Sequence, residues 1–422
     1  MPLLKDLFRA ERKASKNNDL EVTTPVGYTS GFMPLDYLNG QRIQVFDDND
    51  KVKEEYDSVG FVDGTMITVI ADSGLGKTTL TEQIAINIAS QFEDSFVEHE
   101  DIEQASHINR LYNITGVSPK WIKNHYSIYQ DTHSETIVSR IIDHAKVKIN
   151  NRKYYEYDTG LKDMYGDPII RMIPTIVILD SLAVMRSESG AISDPAELKK
   201  NKDELDKATN NMAGARNAKF NSEMFKQILP FVKKANIILF VVNHINRKIE
   251  SGFIKSARDI VGLGENESIS GGRASLYLAN NILRLKNKGQ LKPDKDYGIN
   301  GHIIDATFYK SRTNASIVSC ELIFDKKQGF SKILSLLQLG FNNGFVKKKG
   351  NKYYLDGAEE YTFSKKTFLD VAGEHPELIN LLYDLSLPVL RQYLNLGGMD
   401  VNETDEQRLD SYMNVMAMLE DD

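Results

Sequence analysis

The sequence predicts an α/β protein with a mostly parallel central sheet, preceded by a short helical segment and followed by a small α/β domain. Three continuous apolar runs rich in Ile and Val, at 65–71, 175–180 and 237–243, are typical of strands that are covered on both faces. Helical stretches such as 135–149 separate them, and this alternation indicates crossover connections. A glycine-containing loop at 72–76 follows the first run.

Two hairpins are expected besides these strands. The runs 303–309 and 316–324 lie on either side of a short polar turn, which predicts an antiparallel pair. Residues 153–174 interrupt the alternation with two turn sequences and predict a hairpin inserted before a core strand. Its tyrosines are expected to stabilise a solvent-facing hairpin by cross-strand contacts, with stacking on nucleic-acid bases as the alternative. These tyrosines are Tyr154, Tyr155 and Tyr157.

The chain is expected to divide into four parts. An N-terminal oligomerisation segment and lead-in covers 1–59; it begins with apolar residues at helical spacing, and its charged stretch 47–57 is expected to be a loop. The core covers 60–330, and a small C-terminal domain covers 331–398. Residues 399–422 are rich in Asp and Glu and are expected to form an acidic tail.

Composition and charge exclude several classes of protein. Of the 422 residues, 41% are hydrophobic and 26% are charged, as in an ordinary globular protein with a sizeable core. No run is apolar enough for a membrane span, and charge appears too early for a secretory signal, so a cytoplasmic protein without a membrane partner is expected. The single cysteine, Cys320, excludes an internal disulfide and is expected to be a small buried hydrophobe. The net charge of −7 argues against nucleic-acid binding over the whole surface, but it allows a local basic channel.

The loop after the first strand has the order of residues that phosphate binding requires. Its glycines let backbone amides turn toward phosphate oxygens, and the following helix presents its positive N-terminus. Lys77 is expected to reach the β- and γ-phosphates, and the Thr78 hydroxyl is expected to ligate Mg²⁺. Ala71 replaces the glycine of the strict motif, which a small residue allows. The predicted ATP-binding residues are Ala71, Asp72, Ser73, Gly74, Leu75, Gly76, Lys77, Thr78 and Thr79.

Two carboxylates are expected to complete this site. Asp180 ends the second apolar strand, where it would hold the Mg²⁺ shell or, on the simpler interpretation, only cap the strand. A base that activates water should lie at the tip of another central strand, and Glu98 and Glu100 share one face of the segment 95–100. Glu100 is the better candidate because it is nearer the end of the strand, although a solvated acidic loop is equally consistent with these residues alone.

The ordered set of motifs resembles the RecA family of recombinases, with its RecA-like P-loop ATPase core. The histidine at 244 and the basic string 310–313 are most similar to phage recombinases of the UvsX type. The resemblance extends from about Gly60 to Leu390 and includes a part similar to the small C-terminal domain of RecA. The motifs that carry it are the phosphate loop and the segments 98–100, 178–181, 241–244, 270–274 and 308–313.

The resemblance implies roles for individual residues. Glu100 would be the general base, and His244 would sense the γ-phosphate and pass its presence to the loop that begins at Ile245. Lys310 and Arg312 would reach the ATP of an adjacent subunit. The alternatives are an ordinary histidine at the end of a strand and a solvated hairpin turn.

The resemblance also implies two DNA-binding loops. The second would lie between Asn246 and Ser270, within the segment 243–292, where basic residues outnumber acidic ones in an acidic protein. The first would fall within 186–211, where the chain departs from the family and no contact is assigned. The DNA-binding residues predicted in the second region are Arg247, Lys248, Lys255, Arg258, Gly271, Gly272 and Arg273.

The function implied is ATP-dependent DNA strand exchange by a helical filament on single-stranded DNA, with double-stranded DNA as the second substrate. Such a DNA-dependent ATPase would work in the cytoplasm, that of the host if the chain is phage-encoded, beside single-strand-binding and loader proteins. A hexameric replicative helicase is the first alternative, and the C-terminal part and the lack of an N-terminal helicase domain argue against it. A regulatory ATPase that binds protein is the second, and it would not need a basic loop after His244.

Overall fold

A ten-stranded sheet forms the centre of the molecule. The computed structural model describes residues 24–47, 49, 51–185, 219–247, 261–264 and 266–394. The predicted apolar N-terminus, the acidic tail and the first DNA-binding loop therefore lie outside the described residues. In the part of the chain that the structure describes, no helix is both long enough and apolar enough to cross a bilayer.

The strands, numbered in chain order, are β1 (Gly27–Tyr28), β2 (Gln41–Phe46), β3 (Val52–Ser58), β4 (Phe61–Val62), β5 (Thr65–Ala71), β6 (Val97–Asp101), β7 (Tyr126–Tyr129), β8 (Glu156–Lys162), β9 (Pro168–Met172), β10 (Thr175–Asp180), β11 (Ile237–Arg247), β12 (Glu267–Ile269), β13 (Asn281–Leu291), β14 (Gly301–Lys310), β15 (Val318–Asp325), β16 (Gly329–Ser331), β17 (Val346–Lys349) and β18 (Lys352–Leu355). The helices are α1 (Met33–Leu38), α2 (Lys77–Ala89), α3 (Ile108–Thr115), α4 (Pro119–His125), α5 (Ser134–Asn150), α6 (Arg152–Tyr155), α7 (219–234), α8 (Ala274–Leu278), α9 (Lys332–Asn343), α10 (Phe368–Glu374) and α11 (Glu377–Arg391).

The sheet is parallel over most of its width. Its strand order is β16-β15-β14-β13-β5-β11-β10-β6-β7, and β12 pairs with the end of β11. The six strands from β13 to β7 run parallel, whereas β14, β15 and β16 form an antiparallel edge. The core strands are almost fully buried, as their continuous apolar sequences require. The predicted α/β class with a mostly parallel sheet is therefore confirmed.

The order of the parallel strands brings the predicted site residues to one edge of the sheet. β11 lies between β5 and β10, and in this register His244 pairs with Ala71 while Val242 pairs with Asp180. On the other side of β10, Asp180 pairs with Asp101 of β6. Since parallel strands end at a common edge, the loops that follow β5, β6, β10 and β11 all meet there.

Helices cover both faces of the sheet. Helix α2 packs against one apolar face of the sheet. Its residues Leu80, Ile84 and Ile88 are fully buried, as their spacing predicts. The opposite face is covered by α5 and α7, through residues that include Ile141 of α5 and Phe225 of α7. The two layers enclose the parallel strands and fix the direction in which each loop leaves the sheet.

Two expectations about surface segments need correction. The charged stretch 47–57, expected as a loop, belongs largely to the antiparallel hairpin β2–β3. The insertion 153–174 does form the antiparallel hairpin β8–β9, as predicted. Its tyrosines, however, do not pair across strands: Tyr154 and Tyr155 lie in α6, and the Tyr157 hydroxyl donates to that of Tyr28 at 3.0 Å. Tyr154 and Tyr155 cannot form cross-strand pairs within the hairpin because both precede β8.

The antiparallel edge carries the C-terminal elements. Strands β14 and β15 form the predicted hairpin, and Cys320 on β15 is buried, which raises the pKa of its thiol. Helices α9 to α11 and the hairpin β17–β18 surround a second apolar cluster. This cluster includes Tyr37 of α1, Leu291 of β13 and Ile323 of β15, so the C-terminal elements pack directly on the edge of the sheet.

Candidate functional site

The loop between β5 and α2 has the backbone of a phosphate-binding loop. Gly74 and Gly76 have φ values of +79° and +80°, a conformation that glycine adopts without strain. A Cβ at Gly76 would also lie 2.8 Å from the ring of Phe330, so close packing excludes a larger residue there. Helix α2 begins at Lys77, and its first amides are directed into the loop.

The Lys77 side chain is buried at the centre of this loop. Its amine donates to the backbone carbonyl of Asp72 at 3.1 Å and contacts Nδ1 of His244 at 3.2 Å. Burial lowers the pKa of Lys77, and the negative charges of Asp180 and Glu103 oppose that shift. Lys77 is therefore oriented by Asp72, directly after β5, and by His244 of β11.

Thr78 and Asp180 meet as the sequence predicts for a magnesium pair. The Thr78 hydroxyl donates to the Asp180 carboxylate, which is 4% exposed. Burial raises the pKa of Asp180 to about 6, because a buried carboxylate is costly to ionise, and the charge of Lys77 offsets only part of that shift. A buried carboxylate beside a hydroxyl is the set of hard oxygen donors that suits Mg²⁺.

A carboxylate that the sequence analysis missed, Glu103, lies beside these residues. Its Oε1 is 3.2 Å from Nε2 of His244, and the Ser181 hydroxyl donates to the same oxygen. Its backbone N–H donates to the carbonyl of Asp180 at 3.2 Å. With Nδ1 of His244 facing the Lys77 amine, Nε2–H is the donor to Glu103. Burial, with the charge of Lys77, lowers the pKa of His244 and favours this neutral form.

Asp101 positions the short loop that carries Glu103. It is the last residue of β6, and its carboxylate accepts the backbone N–H groups of Ala105 at 3.1 Å and Ser106 at 2.9 Å. Gln130 donates to the same carboxylate at 3.0 Å. A buried carboxylate that binds a turn in this way is a structural cap, and it fixes the place of Glu103 just beyond the strand.

Glu100, the predicted base, is not at this site. It shares a face of β6 with Glu98, as expected, but that face is turned toward α5. Arg140 of α5 binds both carboxylate oxygens of Glu100 at 2.6 Å, and His144 lies 2.5 Å from Glu98. His99, on the other face, is the residue that faces α2. Strand alternation therefore directs Glu100, the base expected from the sequence, away from the phosphate loop and toward Arg140.

A positional signal could have identified Glu103. Phosphate loops lie outside the carboxyl ends of parallel strands, so the residues just beyond the last residue of β6 are also candidates for a base. Asp101 and Glu103 are spaced as a turn cap followed by a projecting side chain. The strand extends to Asp101, one residue beyond its expected end at Glu100.

Arg110 of α3 is a second residue that the sequence analysis left unassigned. Its guanidinium donates to the Thr79 hydroxyl, and Thr79 lies in the first turn of α2. Arg110 is otherwise exposed. The positive charge of Arg110 thus lies beside the N-terminus of α2.

The end of β11 leads directly from this site into the candidate DNA loop. Beyond His244, β11 forms an antiparallel ribbon with β12, in which Arg247 pairs with Glu267. Asn243 and Asn246 both donate to Ser270 at 2.8 Å, to its carbonyl and its hydroxyl respectively. These bonds, from residues on either side of His244 in the sequence, hold together the two ends of the loop.

The predicted DNA-binding residues are only partly described. Arg247 and Arg273 are exposed, on β11 and just before α8. Gly271 and Gly272 have positive φ values, and Gly271 is packed so closely that a Cβ there would lie 2.8 Å from the Asn221 amide. Gly271 is therefore explained by packing as well as by any contact with phosphate. Three further predicted residues, Lys248, Lys255 and Arg258, lie outside the described residues.

Lys310 and Arg312 lie at the opposite edge of the sheet. β14 runs antiparallel to β13, and Lys310 pairs with Ile282, near the beginning of β13. The Lys310 amine donates to the carbonyl of Tyr277 at 3.0 Å, and Arg312 is exposed in the following turn. Asn314 in that turn donates to the carbonyl of Tyr393 at 2.8 Å. The basic turn is thus braced at the edge remote from the phosphate loop.

Comparison with known proteins gives a distant sequence similarity to RecA. No protein-family model matches the chain. Protein RecA of Paracoccus denitrificans is 22% identical over 219 residues, which is 52% of this chain and 56% of the relative. Protein RecA of Aquifex aeolicus is 22% identical over 240 residues, which is 57% of this chain and 63% of the relative. Protein RecA of Staphylococcus carnosus is 24% identical over 205 residues, which is 49% of this chain and 53% of the relative. The chain thus spans from about half to somewhat under two thirds of the length of these relatives.

Among solved structures, a RadB recombinase aligns with 64% of this chain and 92% of its own, at a TM-score of 0.36 and 15% identity. The sequence matches support a RecA-like relationship for the matched part of the chain. Similarity to the phage type in particular remains a prediction.

Proposed function

We propose that the protein is an ATP-dependent DNA strand-exchange recombinase that acts as a filament on single-stranded DNA. The observation that carries this proposal is the placement of His244. It contacts Lys77 in the phosphate loop and Glu103, and it lies on the strand that continues into the candidate DNA loop. One side chain thus lies between a nucleotide site and a basic surface.

In this proposal the phosphate loop holds ATP, and Lys77 neutralises the β- and γ-phosphates. Thr78 and Asp180 would hold Mg²⁺, which would supply positive charge to the phosphates when it is bound. Arg110, next to Thr79, would contact the nucleotide on the side of its α-phosphate. All of these residues would bind and orient the nucleotide and its Mg²⁺, and all of them lie in one chain.

Glu103 replaces Glu100 as the proposed general base. It is held by the backbone of Asp180 and by the Ser181 hydroxyl, beside the phosphate loop and partly open to solvent. A carboxylate in that position can accept the proton of a water molecule as the water attacks the γ-phosphate. Nε2–H of His244 donates to the same carboxylate, so the base and the sensor share a proton network that a γ-phosphate would disturb.

The basic turn is proposed to act on a neighbouring molecule. Lys310 and Arg312 lie at the edge opposite the phosphate loop and are oriented by a braced turn. They could therefore stabilise charge on the phosphates of the next subunit, which makes hydrolysis depend on assembly. Exposed Arg247 and Arg273 would contact DNA phosphates near the loop between β11 and β12.

Electron microscopy of the protein on single-stranded DNA with a slowly hydrolysed ATP analogue tests the proposal. Helical filaments that require both DNA and the nucleotide are the expected result. A closed ring would favour a hexameric helicase instead. Particles that neither bind DNA nor change their assembly when DNA is added would favour a regulatory ATPase.

A further inference from the structure

Arg247 contacts the phosphate loop directly, in addition to the contact made by His244. Its Nη2 lies 2.8 Å from a carboxylate oxygen of Asp72, the first residue after β5. The backbone carbonyl of Asp72 accepts the Lys77 amine. Asp72 therefore joins the lysine of the nucleotide site to the arginine at the neck of the candidate DNA loop.

Glu267, the other acid near Arg247, is already engaged. It faces Arg247 across the ribbon, but it forms an ion pair with Arg284 at 2.8 Å and accepts the N–H of Gly264 at 2.7 Å. Arg284 and Glu267 are both mostly buried, at 9% and 13% exposure of their side chains. Their pair anchors the returning strand. Arg247, at 70% exposure, is held on one side by Asp72 and remains open to solvent on the other.

An aspartate in a phosphate loop is electrostatically unfavourable for a loop that must bind a polyanion. The Asp72 carboxylate is 43% exposed and lies next to the place where phosphate charge accumulates. Arg247 offsets that charge. The same guanidinium is also placed to bind a DNA phosphate, and it cannot engage both anions fully at once.

We propose that Asp72 is an internal competitor for Arg247: it keeps the guanidinium at the phosphate loop and withholds it from DNA. The proposal rests on the proposed function, because it takes a DNA phosphate as the second partner of Arg247. It assigns the pair a positioning role outside the hydrolytic chemistry. By linkage, DNA that takes Arg247 uncovers the charge of Asp72 beside the nucleotide, so the two ligands communicate through this contact as well as through His244.

The first arm of the test measures binding of fluorescein-labelled oligothymidine to the full chain, without nucleotide and at low salt, by fluorescence anisotropy. Asp72→Asn should tighten binding by about two- to five-fold, the change expected when a partly exposed ion pair is removed. The same substitution in an Arg247→Gln background should have no effect. Asp294→Asn, which removes an exposed charge in the turn between β13 and β14, is the matched control and should leave the affinity unchanged. Equal tightening in both backgrounds, or none in either, would overturn the proposal.

The second arm needs no DNA and uses a fluorescent ADP analogue with Mg²⁺. Arg247→Gln should weaken binding of the analogue by about two- to five-fold, because it leaves Asp72 unneutralised. Adding Asp72→Asn to that variant should restore the affinity. If the wild-type chain binds no DNA, the proposed function fails, but this arm still reports on the ion pair. A failure of the rescue here, with the expected result in the first arm, overturns the claim that Arg247 offsets the charge of Asp72 beside the nucleotide, and with it the linkage between the two ligands.

Discussion

The two edges of the parallel sheet carry complementary halves of the proposed site. At the carboxyl edge, Lys77, Asp180, Glu103 and His244 form one connected set of contacts around the phosphate loop. At the opposite edge, where β14 ends, lie Lys310 and the exposed Arg312. The proposed binding groups and the proposed base thus lie together in one chain, and the basic pair is proposed to act on another molecule.

Chain direction explains this separation. The strands β5, β6, β10 and β11 all run the same way, so their loops converge. β13 is parallel to β5, but β14 reverses and returns the chain to the other edge. In this register Lys310, opposite Ile282 of β13, lies level with Thr68 of β5, three residues before the end of that strand.

The largest effect is expected at the carboxyl edge, from Lys77→Ala. The lysine is buried and is aligned by Asp72 and His244, so its charge cannot be replaced by solvent. DNA-stimulated ATP hydrolysis should fall to background, a loss of at least about 10²–10³-fold. Steady-state phosphate release measures it, with Lys326→Ala, at an exposed position on the turn after β15, as the control. Wild-type turnover in Lys77→Ala would remove the basis for the site.

Substitutions of Glu103 and Glu100 should have different effects, the first on hydrolysis and the second on stability. Glu103→Gln should slow hydrolysis by roughly 10²–10⁴-fold and leave nucleotide and DNA binding intact, the usual contribution of a general base. Glu100→Gln should change hydrolysis little. It should instead lower the free energy of unfolding by about 1–3 kcal/mol, since it weakens a buried bond to Arg140.

Single-turnover hydrolysis and urea unfolding of both variants together decide between these carboxylates. A hydrolysis defect in Glu100→Gln that exceeds the one in Glu103→Gln would restore the assignment made from the sequence.

The sequence predicted the sheet and the phosphate loop well because both depend on local patterns. Continuous apolar runs require burial on both faces, and a strand–loop–helix order leaves little freedom for Lys77, Thr78 and Asp180. The base could not be placed as reliably. Glu98 and Glu100 have the right alternation, but which face of β6 meets α2 depends on the packing of α5, and that is a property of the tertiary structure.

Two other features were not predicted from the sequence, because they too depend on tertiary structure. The hairpin β2–β3 is stabilised partly by the ion pair between Glu54 and Lys162 of β8, a contact that local charge patterns did not reveal. The contact between Asp72 and Arg247 joins residues that are far apart in the sequence, and it depends on the pairing of β5 with β11. Long-range register therefore decided which charged residues became partners.

A smaller effect should appear in the pH dependence of magnesium binding. The pKa of Asp180 is raised to about 6 by burial, so its carboxylate is ionised above that pH and protonates below it. The Mg²⁺ concentration needed for half-maximal nucleotide binding should therefore rise as the pH falls from about 7 to about 5, by up to roughly ten-fold for each unit below the pKa. Titration with a fluorescent ATP analogue measures it. A requirement for Mg²⁺ that is independent of pH over this range would contradict a role for Asp180 as a ligand.

Complementation between two inactive variants tests the division of the site between the two edges most directly. Glu103→Gln lacks the base at one edge, and Arg312→Ala lacks a cation at the other, so each alone should show almost no DNA-stimulated hydrolysis. In a one-to-one mixture that assembles at random on single-stranded DNA, one interface in four joins an intact phosphate-loop edge to an intact basic turn, and roughly a quarter of the wild-type rate should return. No recovery at any mixing ratio, with co-assembly on DNA established by pull-down of a tagged variant, would place both residues in one chain's site and contradict the account.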